Sequence, residues 1–463
     1  MATFNRSKGF DWVFLSLYLS LISIGVLMQY ATYYNPDSSS FASGSSVFTS
    51  QLIWTGISLV FFLLCLLLDW KIWTGLAYPV YGLCLFLLLV VLLFGTEIKG
   101  ARSWIMLGPY SMQPSEIAKF GTALGLANFL ASIKGDFKSK SEILIAILMC
   151  FLPLGFIMLQ PDAGSALVFL SLFLLFYKKG FNPMFYFIGS LFIATFILSL
   201  IYSPKLVIVI TLTVVTSIFF YRTILGILGF IIPIVLAVTS YFLYNNIYFV
   251  LGLILVSIIM AVVYFVRERD IRFTAQLSTI MASISLLSFG TKYFFDHVLE
   301  PHQQDRINVW LRPHLCDPRG SLYNITQSKI AIGSGGLEGR GFLQGALTRY
   351  NYVPEQSTDF IFTVIGEEQG FIGAMTVIII YAFLIIKTLQ IGERAQTPFI
   401  GNYAYAIAGF LIIHFFVNIG MTLGLMPVIG IPLPFISKGG SSILMFSIML
   451  GVLLNMDRAR YSR

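Results

Sequence analysis

Fourteen apolar stretches follow one another along this chain, and they limit its possible folds more than any other feature. They lie near residues 12–31, 51–69, 72–94, 115–133, 142–159, 163–177, 181–202, 206–220, 223–243, 248–266, 273–295, 360–387, 402–422 and 436–454. Crossing a bilayer takes about 20 apolar residues per helix, so these stretches account for roughly 280 residues. Inside a bilayer no water satisfies the backbone, which leaves helices or closed barrels. Composition agrees: the chain is 57% hydrophobic and 11% charged, with mean hydropathy +0.85. Soluble domains are about 45–50% apolar and about 25% charged. The expectation is an all-α polytopic transmembrane helix bundle of about 14 spans, one membrane domain over residues 1–463. Disorder, a coiled coil, a collagen-like fibre and an ordinary soluble enzyme are excluded. The stretches 163–177 and 206–220 fall below the roughly 17-residue limit for a span and are expected to be tilted, re-entrant or parts of longer helices.

Charge tests the count. With the N-terminus inside and the spans alternating, 17 of the 29 Lys and Arg residues fall on the inner side, from Arg6 and Lys8 to Arg458, Arg460 and Arg463. The short outer loops hold three, Lys99, Arg102 and Lys205. Positive charge marks cytoplasmic loops, so both termini are expected inside. Arg6 and Lys8 ahead of an apolar run imitate a secretory leader, but no convincing small-residue cleavage site follows, and the run reads as a first span. The net charge of +8 does not point to nucleic acid, because no dense basic patch interleaved with aromatics lies outside the spans. Of four cysteines, only Cys316 sits in a polar stretch, so no disulfide framework is implied.

Residues 181–295 are rich in Ile, Leu, Phe and Val, and read as packing and lipid-facing surface. Residues 296–358 are the opposite, a long polar loop expected on the outer face, with Asn324–Ala331 able to form a short amphipathic helix. Loops this long are usually functional or disordered.

Polar motifs collect at the expected outer face, and each has a structural and a functional reading. In Gln113-Pro114-Ser115-Glu116, Glu116 and Lys119 share a helix face; they form either a charge-neutralising pair or one wall of a polar cavity. In Gln160-Pro161-Asp162-Ala163-Gly164-Ser165, Asp162 is either a helix N-cap or a carboxylate of that cavity. The run Ile332–Gly341 holds five glycines near Lys329 and Arg340, and reads as a flexible loop or a phosphate cradle. In Val353-Pro354-Glu355-Gln356-Ser357-Thr358-Asp359, Asp359 stands where the loop enters a long apolar helix, as an N-cap or a general base. Glu367 and Glu368 lie deeper in that helix, in a polar path or a structural pairing. After Asn418, the density of Pro and Gly from Gly430 to Ser442 breaks the helix pattern, which is tolerated at membrane depth only where the backbone is buried or lines a cavity. His314 and Cys316 have no second ligand pair, and no metal site is expected from them.

Five strings carry a family resemblance: QPSE with Lys119 following, QPDAGSAL, QSKIAIGSGGLEGRG, VPEQSTDFIF with GEEQG, and NIGMTLGLMPVIGIPLPFISKGGSS. In this order they resemble the SEDS family (shape, elongation, division and sporulation), over nearly the whole chain except about 205–270. The QSKIAIGSGG form looks more like the rod-shape elongation branch (RodA) than the division branch (FtsW). Two positions depart: Lys438 stands where the family commonly has an aromatic, either contacting an anion or snorkelling, and Ile429 stands where it usually has Thr. The family usually has about ten spans, so about four appear as an insertion between 181 and 295.

The resemblance implies a peptidoglycan glycosyltransferase of the bacterial cytoplasmic membrane that joins lipid II units on its outer face, for elongation and rod shape. The implied partners are a class B penicillin-binding protein transpeptidase and the elongation machinery. Asp359 matches the family's essential Asp and would serve as general base for the acceptor 4-hydroxyl. Glu116 and Lys119 match a pair shaping the central cavity. Lys119, Arg102, Lys329 and Arg340 are candidates to stabilise the undecaprenyl pyrophosphate leaving group, with Mg²⁺ or Mn²⁺ as an aid; Asp162 and Glu355 are secondary candidates for substrate contact. A lipid II flippase or other transporter of lipid-linked substrates is the alternative, and transport favours sites near the midplane.

Overall fold

The computed structural model describes residues 10–34, 46–98, 100–107, 110–223, 235–236, 238–240, 242–268, 271–299, 301–320 and 322–458. The apolar stretch 223–243 lies largely outside these residues, as do Arg6, Lys8, Lys99, Arg460 and Arg463. The chain divides into two compact units, Met1–Phe181 with Asp317–Arg463, and Asn182–Cys316.

The first unit opens with α1 (Trp12–Tyr33), α2 (Ser46–Leu67) and α3 (Lys71–Phe94). A small antiparallel sheet follows, β1 (Thr96–Ile98), β2 (Ala101–Leu107) and β3 (Tyr110–Met112), the one addition to the expected all-helical architecture. Its first turn is tight: Ile98 pairs with Ala101, and Gly100 takes φ +82°, which glycine adopts without a Cβ penalty. Next come α4 (Pro114–Ser132), α5 (Lys140–Leu159), α6 (Ala163–Phe169) and α7 (Phe173–Lys178). A 3-10 turn at Leu170–Leu172 joins the last two, so the short stretch 163–177 is one broken helix. At that break Ser171 packs against Gly409, where an added Cβ would lie 3.1 Å from the Ser171 carbonyl.

The second unit contains α8 (Pro183–Ile201), α9 (Pro204–Thr223), α10 (Ile247–Glu268), α11 (Ile271–His297) and α12 (Pro301–Leu311). At 20 residues, α9 is longer than the apolar stretch 206–220, though its apolar part, Pro204–Ile218, falls short of a full span. Buried hydroxyls join its helices: Ser199 to Ser288 at 3.1 Å, and Thr213 to Ser240 at 2.7 Å. Such pairs hold helices together where lipid removes any hydrophobic drive between them.

The first unit resumes with α13 (Tyr323–Ser334), α14 (Ala346–Arg349), α15 (Ile361–Glu393), α16 (Pro398–Thr422) and α17 (Gly440–Arg458). The stretch 296–358 is therefore about half helical, with short helices joined by turns. The amphipathic segment at 324–331 is the centre of α13, with Ile325, Ser328 and Ala331 buried every third residue. Among the described residues nine helices are long and apolar enough to cross a membrane. The α4 helix is not among them, since its polar and small residues lower its hydropathy, yet it is almost wholly buried. It packs against α3, α16 and α17. Gly121 lets the Cys84 side chain and Gly125 lets Tyr81 approach closely, the small-residue packing usual between membrane helices.

One end of this unit is tied by charge. Asp11 caps α1 by accepting from Phe14 N–H at 3.0 Å. Arg394, just past α15, bridges Asp11 at 2.9 Å and Asp457 of α17 at 2.6 Å, and Lys387 lies 3.8 Å from Asp11. Burial acts to raise the Asp11 carboxyl, but the Phe14 amide, Arg394 and Lys387 outweigh it and hold the group below its ordinary value. A lowered folded value means stability that is present above the ordinary carboxylate range and lost as pH falls through the folded value. Asp11→Asn is expected to keep the cap, lower stability at neutral pH by about 1 kcal/mol or less, and lose that acid-dependent component. Thermal melting in detergent between neutral and acid pH checks this.

Candidate functional site

Residues 423–439, between α16 and α17, contain no regular helix. Pro427, Pro432 and Pro434 lack amide hydrogens, and Gly424 and Gly430 take φ +72° and +73°. Such backbone at membrane depth must find its partners within the protein. It does so through side chains of several helices. Asn418 of α16 donates to Ile431 O at 2.8 Å. His414, one turn earlier, meets Pro432 O at 2.8 Å. Tyr381 of α15 donates to Pro434 O, and Gln29 of α1 donates to Ile436 O at 3.1 Å. Ser437 Oγ accepts from Leu433 N–H at 2.8 Å, and Gln51 of α2 accepts from Gly439 N–H at 3.3 Å.

The same segment gathers most of the polar motifs. Asp359, half-buried just before α15, has its carbonyl held by Asn418 Nδ2 at 3.0 Å. A Cβ on Gly430 would lie 3.5 Å from Asp359 Oδ2, so the carboxylate stands beside that turn. Lys438 is half-buried and donates its backbone N–H to Ser357 O at 2.8 Å; Ser357 O also accepts from Gln29, and Ser357 Oγ accepts from Tyr33. Glu355 is exposed at φ +58°, its carbonyl accepts from the amides of Thr358, Asp359 and Phe360, and Thr358 Oγ1 donates to its carboxylate at 3.1 Å.

Glu116 and Lys119 are both buried and in direct contact, Nζ to Oε1, at 2.7 Å. Lys119 Nζ also lies 2.9 Å from His414 Nε2 and 5.4 Å from the centre of the Phe446 ring. Through His414 the pair reaches Pro432. Asp162 caps α6 through Ser165 N–H at 3.0 Å, and accepts from Gln113 and Ser165 Oγ at 2.8 Å each. Its helix touches the irregular segment at Gly164, where a Cβ would stand 2.5 Å from Ile429 O. Lys329 is exposed and lies over Gly424, whose added Cβ would meet Nζ at 2.6 Å.

Arg102 and Arg340 are less involved. Arg102 is exposed on β2 and reaches the Asp162 motif through its backbone, N–H to Gln160 O at 3.2 Å. Arg340 is exposed, with Nε 3.3 Å from Ser334 Oγ.

The second half of the glycine run is packed against backbone: Gly339 N–H donates to Gly335 O at 2.9 Å, and Arg340 N–H to Glu367 O and Gly341 N–H to Glu368 O at 3.0 Å each. In return Phe371 and Ile372 donate to Gly336 O and Leu337 O. These contacts brace a kink at Gly370 (φ +62°) that divides the expected span at 360–387 into a buried first part and a longer second part. An added Cβ at Gly335 or Gly339 would fall on the carbonyl of Gly366 or Glu368. Glu367, fully buried, accepts from Leu347 N–H, Thr348 N–H and Thr348 Oγ1 at 2.7–2.9 Å. Glu368 accepts from the amides of Leu343 and Gly345. Both glutamates thus anchor the loop onto α15.

His414 is the residue that reading the sequence missed. A lone ionisable side chain in LIIHFFVNIG, four residues before Asn418, was the signal available. Gln29 and Tyr33 were missed for a different reason: only folding brings the end of α1 to Ser357. Among the described residues no three His, Cys, Asp or Glu side chains converge to hold a metal ion.

The sequence model of the cell cycle protein family of FtsW, RodA and SpoVE matches residues 11–215 and 205–462. The chain belongs to this family, the SEDS proteins. Peptidoglycan glycosyltransferase RodA of Treponema pallidum is 32% identical over 97% of this chain and 97% of its own length. Peptidoglycan glycosyltransferase MrdB of Escherichia coli K12 is 30% identical over 81% of this chain and 75% of its own. Among solved structures, a chain from work on polymerization and crosslinking by a peptidoglycan synthase complex has a TM-score of 0.64 at 25% identity, covering 98% of this chain and 99% of that one. Rod shape determining protein RodA of Thermus thermophilus, at 23% identity and 98% coverage of both chains, has a TM-score of 0.54 and shares the fold. In this SEDS chain, residues from most of the motifs that carried the resemblance meet around residues 423–439, while the glycine run and GEEQG pack against each other.

The buried pair and the α6 cap can each be tested by substitution. Lys119→Met leaves Glu116 buried without its cation and is expected to lower stability by about 3–5 kcal/mol; adding Glu116→Gln should recover much of that loss, read from melting of the single and double variants. Asp162→Asn keeps an N-cap and is expected to melt within about 0.5 kcal/mol of the parent, whereas Asp162→Ala costs about 1 kcal/mol.

Proposed function

We propose that this SEDS chain is a peptidoglycan glycosyltransferase that polymerises lipid II into glycan strands for cell elongation and rod shape. The reading is carried by end-to-end similarity to relatives named peptidoglycan glycosyltransferases, at 32% and 30% identity. It is supported by the side-chain framework built around Asp359.

The acceptor's GlcNAc 4-hydroxyl attacks the anomeric carbon of the donor MurNAc. The new glycosidic bond forms as the bond to undecaprenyl pyrophosphate breaks. A sugar hydroxyl is a weak nucleophile, and a carboxylate within hydrogen-bond reach assists by taking its proton. In our reading Asp359 is that base. Its backbone is pinned by Asn418 and by the turn on the Glu355 carbonyl, so the carboxylate has a fixed origin beside Gly430. Charge growing on the departing pyrophosphate needs cations. Lys329 and Lys438 border the segment next to Asp359, and Arg102 and Arg340 are exposed. Lys119 is buried against Glu116 and His414, so we assign it to shaping the site and not to direct phosphate contact. Asp162 likewise shapes the site, and Glu355 turns the chain into Asp359. A divalent cation, Mg²⁺ or Mn²⁺, enters this reading only as a counter-ion of the substrate's own pyrophosphate.

The proposed setting is the bacterial cytoplasmic membrane, with both termini inside and the site facing out. The clustering of Asp11, Lys387, Arg394 and Asp457 at one end of the first unit supports it, because the charge rule put those segments on the inner side. A class B penicillin-binding protein, a transpeptidase, is the proposed partner; the structural neighbour from a peptidoglycan synthase complex supports this.

Purified chain with labelled lipid II, with and without the transpeptidase, tests the reading. Wild type is expected to make polymer, and Asp359→Asn to fold, melt as wild type does and make none. Polymer from a well-folded Asp359→Asn protein would contradict the base assignment. No polymer from folded wild type with partner and divalent cation present would favour transport of the lipid-linked substrate instead.

A further inference from the structure

His414 lies fully inside the first unit, on an otherwise apolar turn of α16. Its two ring nitrogens face groups that leave no choice of tautomer. Pro432 O, 2.8 Å from Nδ1, can only accept, so Nδ1 carries the proton. The Lys119 ammonium, 2.9 Å from Nε2, can only donate, so Nε2 presents its lone pair. The imidazole is therefore neutral and joins two elements in a set direction. The ring stands edge-on to Phe446 at 5.0 Å, which fixes its plane. One turn on, Asn418 holds the neighbouring carbonyl of Ile431 and the carbonyl of Asp359 with the same amide nitrogen. One face of α16 thus links Glu116 and Lys119, through His414 and Pro432, to the backbone that positions Asp359.

We propose that His414 is a positioning residue for Asp359, acting as a neutral Nδ1–H imidazole that couples the Glu116–Lys119 pair to the segment 430–432. This rests on the reading of the chain as a lipid II polymerase with Asp359 as its base. His414 touches no substrate in this account. Without it, Pro432 O loses its donor and the Gly430 turn loses its tie to α4, so the carboxylate keeps its chemistry but not its aim. Misplacement on this scale lowers kcat and leaves substrate binding largely intact.

The test uses full-length wild type and the variants Asp359→Asn, His414→Phe and His414→Asn, each with the transpeptidase partner. His414→Phe removes both contacts. His414→Asn keeps an amide able to donate to Pro432 O. We expect His414→Phe to lower kcat about 10- to 100-fold with KM for lipid II changed less than about twofold, and His414→Asn to recover part of the loss. Rescue by the asparagine separates positioning from mere filling of space, which Phe does at least as well. A second readout is independent of activity. The chain has four histidines, so nitrogen-15 histidine labelling, with His414→Phe to assign the signal, reports the tautomer directly. A neutral Nδ1–H signal is expected in wild type, lost or shifted in Lys119→Met.

Wild-type kcat in a folded His414→Phe protein would overturn the proposal, while an inactive Asp359→Asn would leave the functional reading standing. Should His414→Phe fail to fold, the kinetics of His414→Asn and the tautomer decide. An Nε2–H or doubly protonated ring would overturn the proposal. No polymer from wild type would overturn the functional reading, and with it the positioning role assigned to His414.

Discussion

An irregular stretch of backbone at membrane depth has no water to satisfy it, and the remainder of the candidate site depends on how this chain meets that constraint. Residues 423–439 give up helical hydrogen bonds to prolines and glycines. Their freed carbonyls are then taken by Asn418, His414, Tyr381 and Gln29, each from a helix and none from a loop. Because these donors come from α1, α15 and α16, the segment can take its shape only when those helices are in register. The polar groups that a bilayer makes expensive are thus the groups that specify the arrangement. Asp359 is held by the same amide that holds Ile431, so the shape of the segment and the placing of the carboxylate are one feature.

A second set of contacts works in the same way. The Gly370 kink interrupts α15 and frees carbonyls on its first part, and the glycine loop supplies amides to them. Glycine is required there because the two backbones touch; at Gly339 a methyl group would overlap the Glu368 carbonyl. Glu367 and Glu368 are buried carboxyl groups that need hydrogen-bond partners, and amides among residues 343–348 supply them. The loop leading to Asp359 is thereby fastened at both ends.

Much of this was legible in the sequence. Apolar length identified most of the helices, and the density of Pro and Gly after Asn418 marked where the helix pattern would break. Asp162 as an N-cap and Glu116 with Lys119 as a pair were each one of the two readings that spacing offered, since both are local interactions within one or two turns. What escaped were relations between distant parts. A glycine-rich run such as Ile332–Gly341 looks alike whether its amides face an anion or another backbone, and only the packing against α15 distinguishes the two. His414 was hidden because an isolated histidine in an apolar run carries no spacing signal of its own. The small sheet at 96–112 was hidden because its strands are short and follow directly on a span.

Hydrogen–deuterium exchange of residues 429–439 in the membrane-embedded protein tests the central claim most directly. The account predicts that the amides of Leu433, Ile436, Ser437 and Lys438, each with an internal acceptor, exchange as slowly as those of the flanking helices α16 and α17. Exchange at the rate of an unstructured, water-exposed peptide would contradict it, because a segment that free could not hold Asp359 in place.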